Sequence, residues 1–500
     1  MNKLDNQISA GLVSLRLVKH SIIYSIPGII GSLVSFFLLP VYTRYLTPSD
    51  YGILGLLGAT FGIVGNIVSI GLTSAAFREV IYADMDKRIA FSTGFWLMTI
   101  SNIIVVGCLV LFAPNFSQWI LGSLEWSTWF RIYAVSSVAG SLGIWMLVRC
   151  RIEQKPVSFA ILSISSTALN TIFGITTVVI LKLGVKGFIA SGFGATLIIS
   201  ILYMIFIRHI LRPIISFQSL KRMLKFGAPL VPANLSSLML TSADRYFLKY
   251  FASLSEVGLY SIGYRFGMIM TMVTGSFQLA WPAEAFRIAK ESESGTHFGR
   301  IFTHYIFALG FIALVLCCFA REIVILMVDT RFWSSFAVVP LIVLSYLCYG
   351  ARTVVTIGVG VLNKTYYLAI TIVIAAIINL VLNAILIPIY GMMGAAWATL
   401  ISYIALLVMD IVVNQRLYPI RYELWKIGII VLFGAFIFGM SSLVENHNIW
   451  FTIVLKTLLI ILYIGLLLIP GFLSVSERLY IKNTIIKIRS KVFPSKTECL

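Results

Sequence analysis

Long apolar segments alternate with short charged or turn-forming connections along almost the whole chain. Stretches such as 370–387 and 454–469 are nearly continuous in apolar residues. A bilayer core takes about 20 apolar residues per helix, so each segment predicts a transmembrane helix. We count about fourteen such segments: 21–40, 52–72, 91–112, 128–148, 158–181, 187–207, 226–243, 257–280, 301–319, 336–357, 366–387, 391–413, 426–443 and 450–470.

Transmembrane strands are a poor alternative to helices. Strands of a membrane barrel run for roughly ten residues and alternate apolar with polar positions, whereas these segments are longer and apolar throughout. The first segment is too long for a cleaved signal and lacks a small-residue cleavage site. The pattern therefore predicts an all-α polytopic membrane protein.

One sequence pattern occurs twice, about 205 residues apart. It consists of a proline-interrupted apolar segment, a basic-aromatic turn and an acidic residue that opens the next segment. The first copy runs through Pro27, Arg44, Asp50 and Gly52, and the second through Pro229, Pro232, Lys249, Glu256 and Gly258. A later match pairs 187–198 with 391–401. About six spans separate equivalent points, so both copies face the same way around an axis along the membrane normal.

The repeat predicts the organisation of the chain. We expect a six-helix lobe over 1–210, a second over 211–418, two extra transmembrane helices over 419–475 and a basic cytoplasmic tail over 476–500. Duplicated bundles with interrupted helices are typical of transporters whose halves move about a central site. Pro27, Pro229 and Pro232 are the predicted hinges because proline weakens a helix locally.

Composition and charge agree with a membrane protein. Hydrophobic residues are 59% of the chain and charged residues 11%, while the net charge is +19. Most Lys and Arg residues fall on connections that share one side, with Lys182 and Lys186 as exceptions, so both termini are expected in the cytoplasm. The positive charge then reflects topology and lipid contact, and no nucleic-acid partner is expected.

Cysteine and histidine give no sign of a metal or a catalytic site. The six cysteines have no CxxC or metal-ligand spacing, and the five histidines are scattered. A nucleophile elbow and a phosphate loop are both missing from the sequence. We expect no cofactor and no enzymatic activity.

Charges inside the spans are the best candidates for function. A charge at the middle of a bilayer costs at least roughly 2.5–3.5 kcal/mol, so it needs a wet cavity or a partner. Each candidate could instead be a structural ion pair or could reach the lipid headgroups. The candidate cargo-binding residues are Arg265, Arg245, Arg78, Arg44, Arg352 and Arg131.

The excess of arginine over acid near the spans indicates the kind of cargo. Guanidinium groups are permanently charged and planar, and they suit phosphate oxygens. A pump for cationic drugs would need buried carboxylates, and the first span has none. Near the spans we find only Glu79, Asp244 and Asp410, with Glu284 at an edge; Arg78 with Glu79 could form a latch at the inner side.

Several motifs resemble one family. Residues 39–52 (LPVYTRYLTPSDYG) and 71–78 (GLTSAAFR) resemble the opening of Wzx-type polysaccharide repeat-unit flippases, in the polysaccharide transport branch of the multidrug/oligosaccharidyl-lipid/polysaccharide exporter superfamily. Residues 242–248 with 257–261 are similar to the second-half signature. Asn379 and Asn383 followed by 387–400 are similar to the element that joins spans eleven and twelve. The resemblance covers roughly residues 15–475.

The resemblance implies a MATE-like fold of two parallel six-helix lobes around a cavity that opens alternately to each side. It implies a bacterial inner-membrane protein that moves undecaprenyl-pyrophosphate-linked oligosaccharide, for O-antigen, capsule or lipopolysaccharide, to the periplasmic leaflet. Its partners would be this glycolipid, membrane lipids, and a polysaccharide polymerase with its chain-length regulator. Cavity arginines would hold the pyrophosphate, and Arg78, Arg245 and Arg265 are the first positions for that role.

Three alternatives stay open at this point. An ion-coupled multidrug exporter or a lipid II flippase would use the same fold. A membrane enzyme such as a polymerase or ligase is disfavoured, because the longest outer connections are short and apolar.

Overall fold

A computed structural model describes residues 23–69, 71–82, 86–291, 293–444 and 449–468. Nearly all of these residues are helical, and none of them lies in a β-strand. This confirms the all-α class that the unbroken apolar segments predict. The predicted tail over 476–500, together with the residues before Ile23, lies outside the described ranges.

The first half of the chain contains nine helices within the described ranges. They are α1 (Ile23–Phe37), α2 (Leu39–Tyr45), α3 (Pro48–Ser69), α4 (Leu72–Tyr82), α5 (Lys87–Leu111), α6 (Ala113–Leu121), α7 (Ser127–Ile152), α8 (Pro156–Ile175) and α9 (Gly184–Ile207). A short π-helical turn, Thr176–Ile180, extends α8.

The second half continues the same series. Its helices are α10 (Phe217–Gly227), α11 (Val231–Ser242), α12 (Asp244–Phe251), α13 (Leu254–Gly267), α14 (Ile269–Ile288), α15 (Ser294–Cys318), α16 (Ala320–Met327), α17 (Val339–Val355), α18 (Ile357–Val361), α19 (Tyr366–Leu417), α20 (Leu424–Leu443) and α21 (Ile449–Ile464). A 3₁₀ segment, Thr330–Val338, precedes α17.

By length and composition, nine described helices can cross a membrane, or ten if the bent pair α1–α2 is one span. The predicted count of about fourteen is not confirmed, for three physical reasons. The long helix α19 holds two predicted spans joined at Gly391, whose φ of 54° and ψ of −132° break the helix. The predicted spans 226–243 and 257–280 are each interrupted, and α21 is short.

The helix breaks fall near some of the predicted hinges. Between α10 and α11 the chain makes a 3₁₀ turn at Ala228–Leu230, which contains Pro229, and Pro232 lies in the first turn of α11. The first segment, however, runs as a helix through Pro27 and bends by 41° between α1 and α2. Pro40 lies just after that bend, in the first turn of α2. Hinge motion at Pro27, Pro229 and Pro232 stays a prediction.

The two copies of the repeat meet each other at equivalent positions. Gly52 is the fifth residue of α3, and Gly258 is the fifth residue of α13. Each glycine lies against the backbone of the other helix. A Cβ at Gly52 would lie 2.0 Å from the Leu254 carbonyl oxygen, and one at Gly258 would lie 1.8 Å from that of Pro48. Only glycine permits so close an approach of helix backbones.

Two opposite faces of the molecule carry contacts between the halves. We define face A by residues 46–52, 252–258 and 329–331. Arg331 makes polar contacts between the halves at this face. Its guanidinium donates to the carbonyl oxygens of Thr43 (3.0 Å) and Arg44 (3.2 Å) and pairs with Asp329 at 2.7 Å. The hydrogen bond from Arg331 lowers the pKa of Asp329 below its usual range, so this contact persists at neutral pH.

On face B, defined by residues 86–88, 208–217 and 293–295, Asp86 pairs with Arg212 at 3.3 Å, and beside it Glu79 pairs with Arg222; both ion pairs join the two halves. The Arg222 Nε donates to Glu79 Oε1 at 2.6 Å, which links α4 to α10. The sequence predicted a latch made by Arg78 with Glu79. In the structure Glu79 pairs with Arg222 instead of its neighbour. Arg78 next to it stacks on Phe226 with its Cζ 4.8 Å from the ring centroid.

The last described helix, α21, is fixed to the second half by one buried cation and one tyrosine. Lys456 of α21 is fully buried, and its ammonium donates to the Cys318 carbonyl oxygen (2.8 Å) and to Glu322 (2.7 Å). Tyr463 donates to the Phe307 carbonyl oxygen at 3.2 Å. These contacts fix α21 against α15 and α16.

Replacing Gly52 with alanine tests the close contact between α3 and α13. The added methyl group overlaps the Leu254 carbonyl, and overpacking of this kind costs about 1–3 kcal/mol. We expect the thermal unfolding midpoint of the detergent-purified protein to fall. Gly62→Ala is the matched control, because it lies on the same helix with open space at its Cβ; equal midpoints for the two variants would contradict the contact.

Candidate functional site

A cavity of about 340 Å³ lies between helices of the first half and one residue of the second half. Its walls come from α1 to α3, from α8 and from α9. The single residue contributed by the second half is Arg265 of α13. Arg265 is also the one Lys or Arg among the lining residues that the structure describes, and no Asp or Glu is among them.

Arg265 reaches this cavity from the last turn of α13. It lies about eleven residues after the start of α13, or roughly 16 Å along the helix axis. Its side chain is exposed to the cavity, and its Cζ lies 5.8 Å from the ring centroid of Tyr51. Among the described residues Arg265 has no acidic partner and no side-chain hydrogen bond. A guanidinium held this deep needs water or an anion in the cavity.

Helix α8 presents a polar face to Arg265 across the cavity. Ser166, Thr167, Asn170 and Thr171 all line it, at the spacing that places residues on one side of a helix. Large apolar residues of α8 such as Ile161 and Ile172 are exposed on the other side, at 59% each, as expected for contact with lipid. The face therefore offers hydroxyl and amide groups to a ligand.

Arg245, by contrast, is embedded in a hydrogen-bonded network. Its Nη1 donates to the Thr241 carbonyl oxygen at 2.9 Å and lies 4.0 Å from Oδ1 of the buried Asp244, while its Nε donates to Ser261 at 3.4 Å. The phenol of Tyr260 donates to the other Asp244 oxygen. Arg245 is not among the residues that line the Arg265 cavity, and cargo binding by Arg245 stays a prediction.

Arg352 lies elsewhere, in an ion pair of the second half. Its Nε donates to Asp410, whose side chain is fully buried and whose other oxygen accepts from Thr371 at 2.7 Å. Arg352 also lines a separate cavity of about 390 Å³ with Trp281 and Tyr349. The neutralising acid favours a structural role, and cargo binding by Arg352 stays a prediction.

The other three predicted residues do not line the Arg265 cavity. Arg78 stacks on Phe226 near face B, and Arg131 donates to the Val110 carbonyl oxygen at 3.3 Å. The side chain of Arg44 is exposed at the end of α2. The nearby acid Asp50 caps α3 by accepting from the Thr47 backbone N–H at 2.8 Å. A role for these three in cargo binding remains to be tested.

Another cavity, about 850 Å³, lies between α6 and α12 near face A. Its lining is mostly apolar and aromatic, and Lys249 is its one charged residue among those described. Trp119 and Tyr250 there are 75% and 78% exposed. Aromatic residues at that depth are the usual anchors of a membrane interface, so this cavity has a structural explanation.

The residues that sequence reasoning missed are polar members of the cavity wall: Tyr42, Tyr51, Ser166, Thr167, Thr171 and Ser191. A signal for those on α8 is present in the sequence. Polar residues at 166, 167, 170 and 171 repeat with helical periodicity inside a predicted span. For Tyr42, Tyr51 and Ser191 we find no comparable signal.

Comparison with known families and proteins gives a consistent result. A family model described as "Polysaccharide biosynthesis protein" matches residues 17–281. A Haemophilus influenzae protein of the Lsg locus is 23% identical over 384 residues, which are 71% of this chain and 90% of that protein.

Solved structures of membrane transporters share the fold. The lipid II flippase MurJ in an inward closed conformation aligns with a TM-score of 0.69 at 16% identity, covering 88% of this chain and 98% of MurJ. An inward-facing MATE family multidrug resistance transporter of the MOP superfamily aligns with a TM-score of 0.62 at 14% identity, covering 79% of this chain and 97% of that transporter. The Vibrio cholerae MATE transporter VcmN aligns with a TM-score of 0.57 at 18% identity, covering 80% of this chain and 96% of VcmN.

Arg352 and Arg265 should respond differently to loss of their charge. Arg352→Ala leaves Asp410 buried without its cation, which costs about 3–5 kcal/mol for such pairs, so the thermal midpoint should fall sharply. Arg265→Ala removes no ion pair and should leave the midpoint nearly unchanged. Arg352→Met combined with Asp410→Leu should restore much of the stability, and a strong loss for Arg265→Ala would show that its partner was missed.

Proposed function

Because the chain belongs to the polysaccharide biosynthesis protein family and shares its fold with MOP superfamily transporters, we propose that it is a flippase for lipid-linked oligosaccharide. Its substrate is undecaprenyl-pyrophosphate-linked repeat units, which it moves from the cytoplasmic to the periplasmic leaflet of the bacterial inner membrane. The family match and the shared fold confirm the resemblance noted in the motifs.

The observation that carries this proposal is the environment of Arg265. A permanent cation faces a cavity with no acid among its described lining residues. Its planar fork of N–H donors can bind two phosphate oxygens at once, and a pyrophosphate supplies the negative charge that the protein does not. A neutral or cationic cargo would leave Arg265 without compensation.

The same lining argues against a cationic drug as the cargo. A multidrug pump for cations needs a carboxylate within reach of the ligand. The two buried acids of the described second half, Asp244 and Asp410, are already bound by other side chains. Asp244 is bound by Tyr260 and Arg245, and Asp410 by Arg352 and Thr371. Polar but uncharged groups on α8 suit a sugar.

The contacts between the halves suit alternating access. Arg331 joins the halves at face A, and Glu79 with Arg222 joins them at face B. These polar contacts are partly exposed and individually modest in energy. At face A the close packing of α3 on α13 at Gly52 and Gly258 would have to separate together with them. In the proposed orientation both termini and face B are cytoplasmic, and the polyprenyl tail remains in lipid between the halves.

Energy for the cycle must come from outside the cavity. The sequence has no ATP-binding motif, so an ion gradient, the membrane potential or removal of the product by a polymerase and its chain-length regulator would drive transport. We expect no cofactor, because pyrophosphate binding by Arg265 requires only this chain's own donors.

Replacing Arg265 with glutamine should stop export while leaving the protein level unchanged. Charge-assisted hydrogen bonds contribute about 1.5–3 kcal/mol, so we expect surface polysaccharide to fall at least roughly tenfold. The lipid-linked oligosaccharide should then accumulate in the inner leaflet. Immunoblots of the protein, staining of surface polysaccharide and mass spectrometry of extracted lipids measure the three quantities.

Arg287→Gln is the control for this experiment, since it removes an exposed arginine that pairs with Glu284 and Glu291 outside the cavity. It should export normally. Normal surface polysaccharide in the Arg265→Gln strain would refute the assignment of Arg265 to the pyrophosphate.

A further inference from the structure

We propose that the polar face of α8 binds the sugar next to the pyrophosphate, and so sets which first sugar the protein accepts. This inference rests on the proposed function and extends it from the phosphate to the carbohydrate. Its residues are Ser166, Thr167, Asn170 and Thr171, across the cavity from Arg265.

The free hydrogen-bonding groups on this face suit a sugar. Thr167 donates to the Ser163 carbonyl oxygen at 3.1 Å, and the Asn170 amide donates to that of Ser166 at 2.9 Å. Within the described ranges the hydroxyls of Ser166 and Thr171 and the side-chain oxygen of Asn170 have no partner. Hydroxyls both donate and accept, and an amide oxygen accepts, which is the mixture that sugar hydroxyls require.

Tyr51 gives a second, independent sign of a ligand. Its side chain is 3% exposed, and its hydroxyl has no hydrogen-bond partner in the part of the chain that the structure describes. Buried polar atoms are almost always bonded. Because Tyr51 lines the same cavity and lies beside Arg265, a polar group of the cargo fits as its partner.

The asparagines of the second half that match this face are buried. Asn379 lies 209 positions after Asn170, close to the spacing of the repeat, and with Asn383 it is almost fully buried (1% and 0% exposed). The Asn383 amide donates to Asn379 Oδ1 at 3.0 Å. The shared fold therefore does not require an open polar pocket at this position, which supports a specific use for the one beside α8.

The size of the cavity limits what it can recognise. At about 340 Å³ it is at the lower end of the range of ligand pockets, roughly 300–1,000 Å³. A pyrophosphate with the adjoining sugar fits that space better than a whole repeat unit. We therefore expect selection by the first sugar and tolerance of the rest of the oligosaccharide.

Binding measurements in nanodiscs test this inference with two lipids. One is undecaprenyl pyrophosphate, and the other is the lipid-linked oligosaccharide extracted from cells that lack the protein. The double variant Asn170→Ala/Thr171→Val should weaken binding of the oligosaccharide lipid by roughly 5- to 100-fold, as expected for two lost hydrogen bonds. Binding of undecaprenyl pyrophosphate should change by less than about twofold.

Two further variants complete the design. Arg265→Gln should weaken the binding of both lipids. Ser165→Ala, on the exposed side of α8, should leave the binding of both unchanged. If the double variant loses thermal stability, binding of the two lipids is compared with the isosteric single variant Thr171→Val instead. Equal loss for both lipids, or no loss for either, would overturn the sugar site, whereas failure of the unchanged protein to bind either lipid would instead refute the proposed flippase function.

Discussion

The structure depends most on the requirement that a charge within the bilayer has a partner. Lys456 meets it with Glu322, Arg352 with Asp410, and Arg245 with Asp244 and the hydroxyl of Ser261. Taking such charges out of water costs several kcal/mol per ion, and a well-placed acid with further hydrogen bonds offsets that cost. Arg265 meets the same requirement differently, since it faces a cavity and has no acid among the described residues. This difference separates a structural arginine from one available to a ligand.

Duplication gives the molecule a symmetric contact and an asymmetric cavity. Gly52 and Gly258 occupy matching places in the two copies and bring α3 and α13 into backbone contact. Away from that contact the copies differ, because the second half is packed with Tyr260, Tyr264 and Tyr403 around Asp244. The cavity of the second half lies at a different place and is lined by Arg352, which is paired with Asp410.

The sequence predicted the features that depend on local composition. Unbroken apolar segments indicated the all-α membrane class, and the excess of arginine over acid indicated Arg265. Contacts between distant residues could not be read in this way: Glu79 pairs with Arg222, which lies 143 positions away, and Asp410 pairs with Arg352 across 58 positions. The described part of α1 runs as a helix through Pro27 and bends at Leu38 instead, so the proline alone did not locate the bend. The polar face of α8 was readable from its periodicity, but its position opposite Arg265 was not.

The placement of Arg265 on one half and of the cavity wall on the other has a mechanical consequence. A ligand shifts a conformational equilibrium only by the difference between its affinities for the two states. A pyrophosphate on Arg265 with its sugar on α8 contacts both halves at once, so it stabilises the state in which they adjoin. Movement of the halves apart separates the two sets of contacts, which weakens binding and favours release. In the proposed mechanism, substrate binding and domain movement are thus coupled through a single guanidinium that has no acidic partner among the described residues.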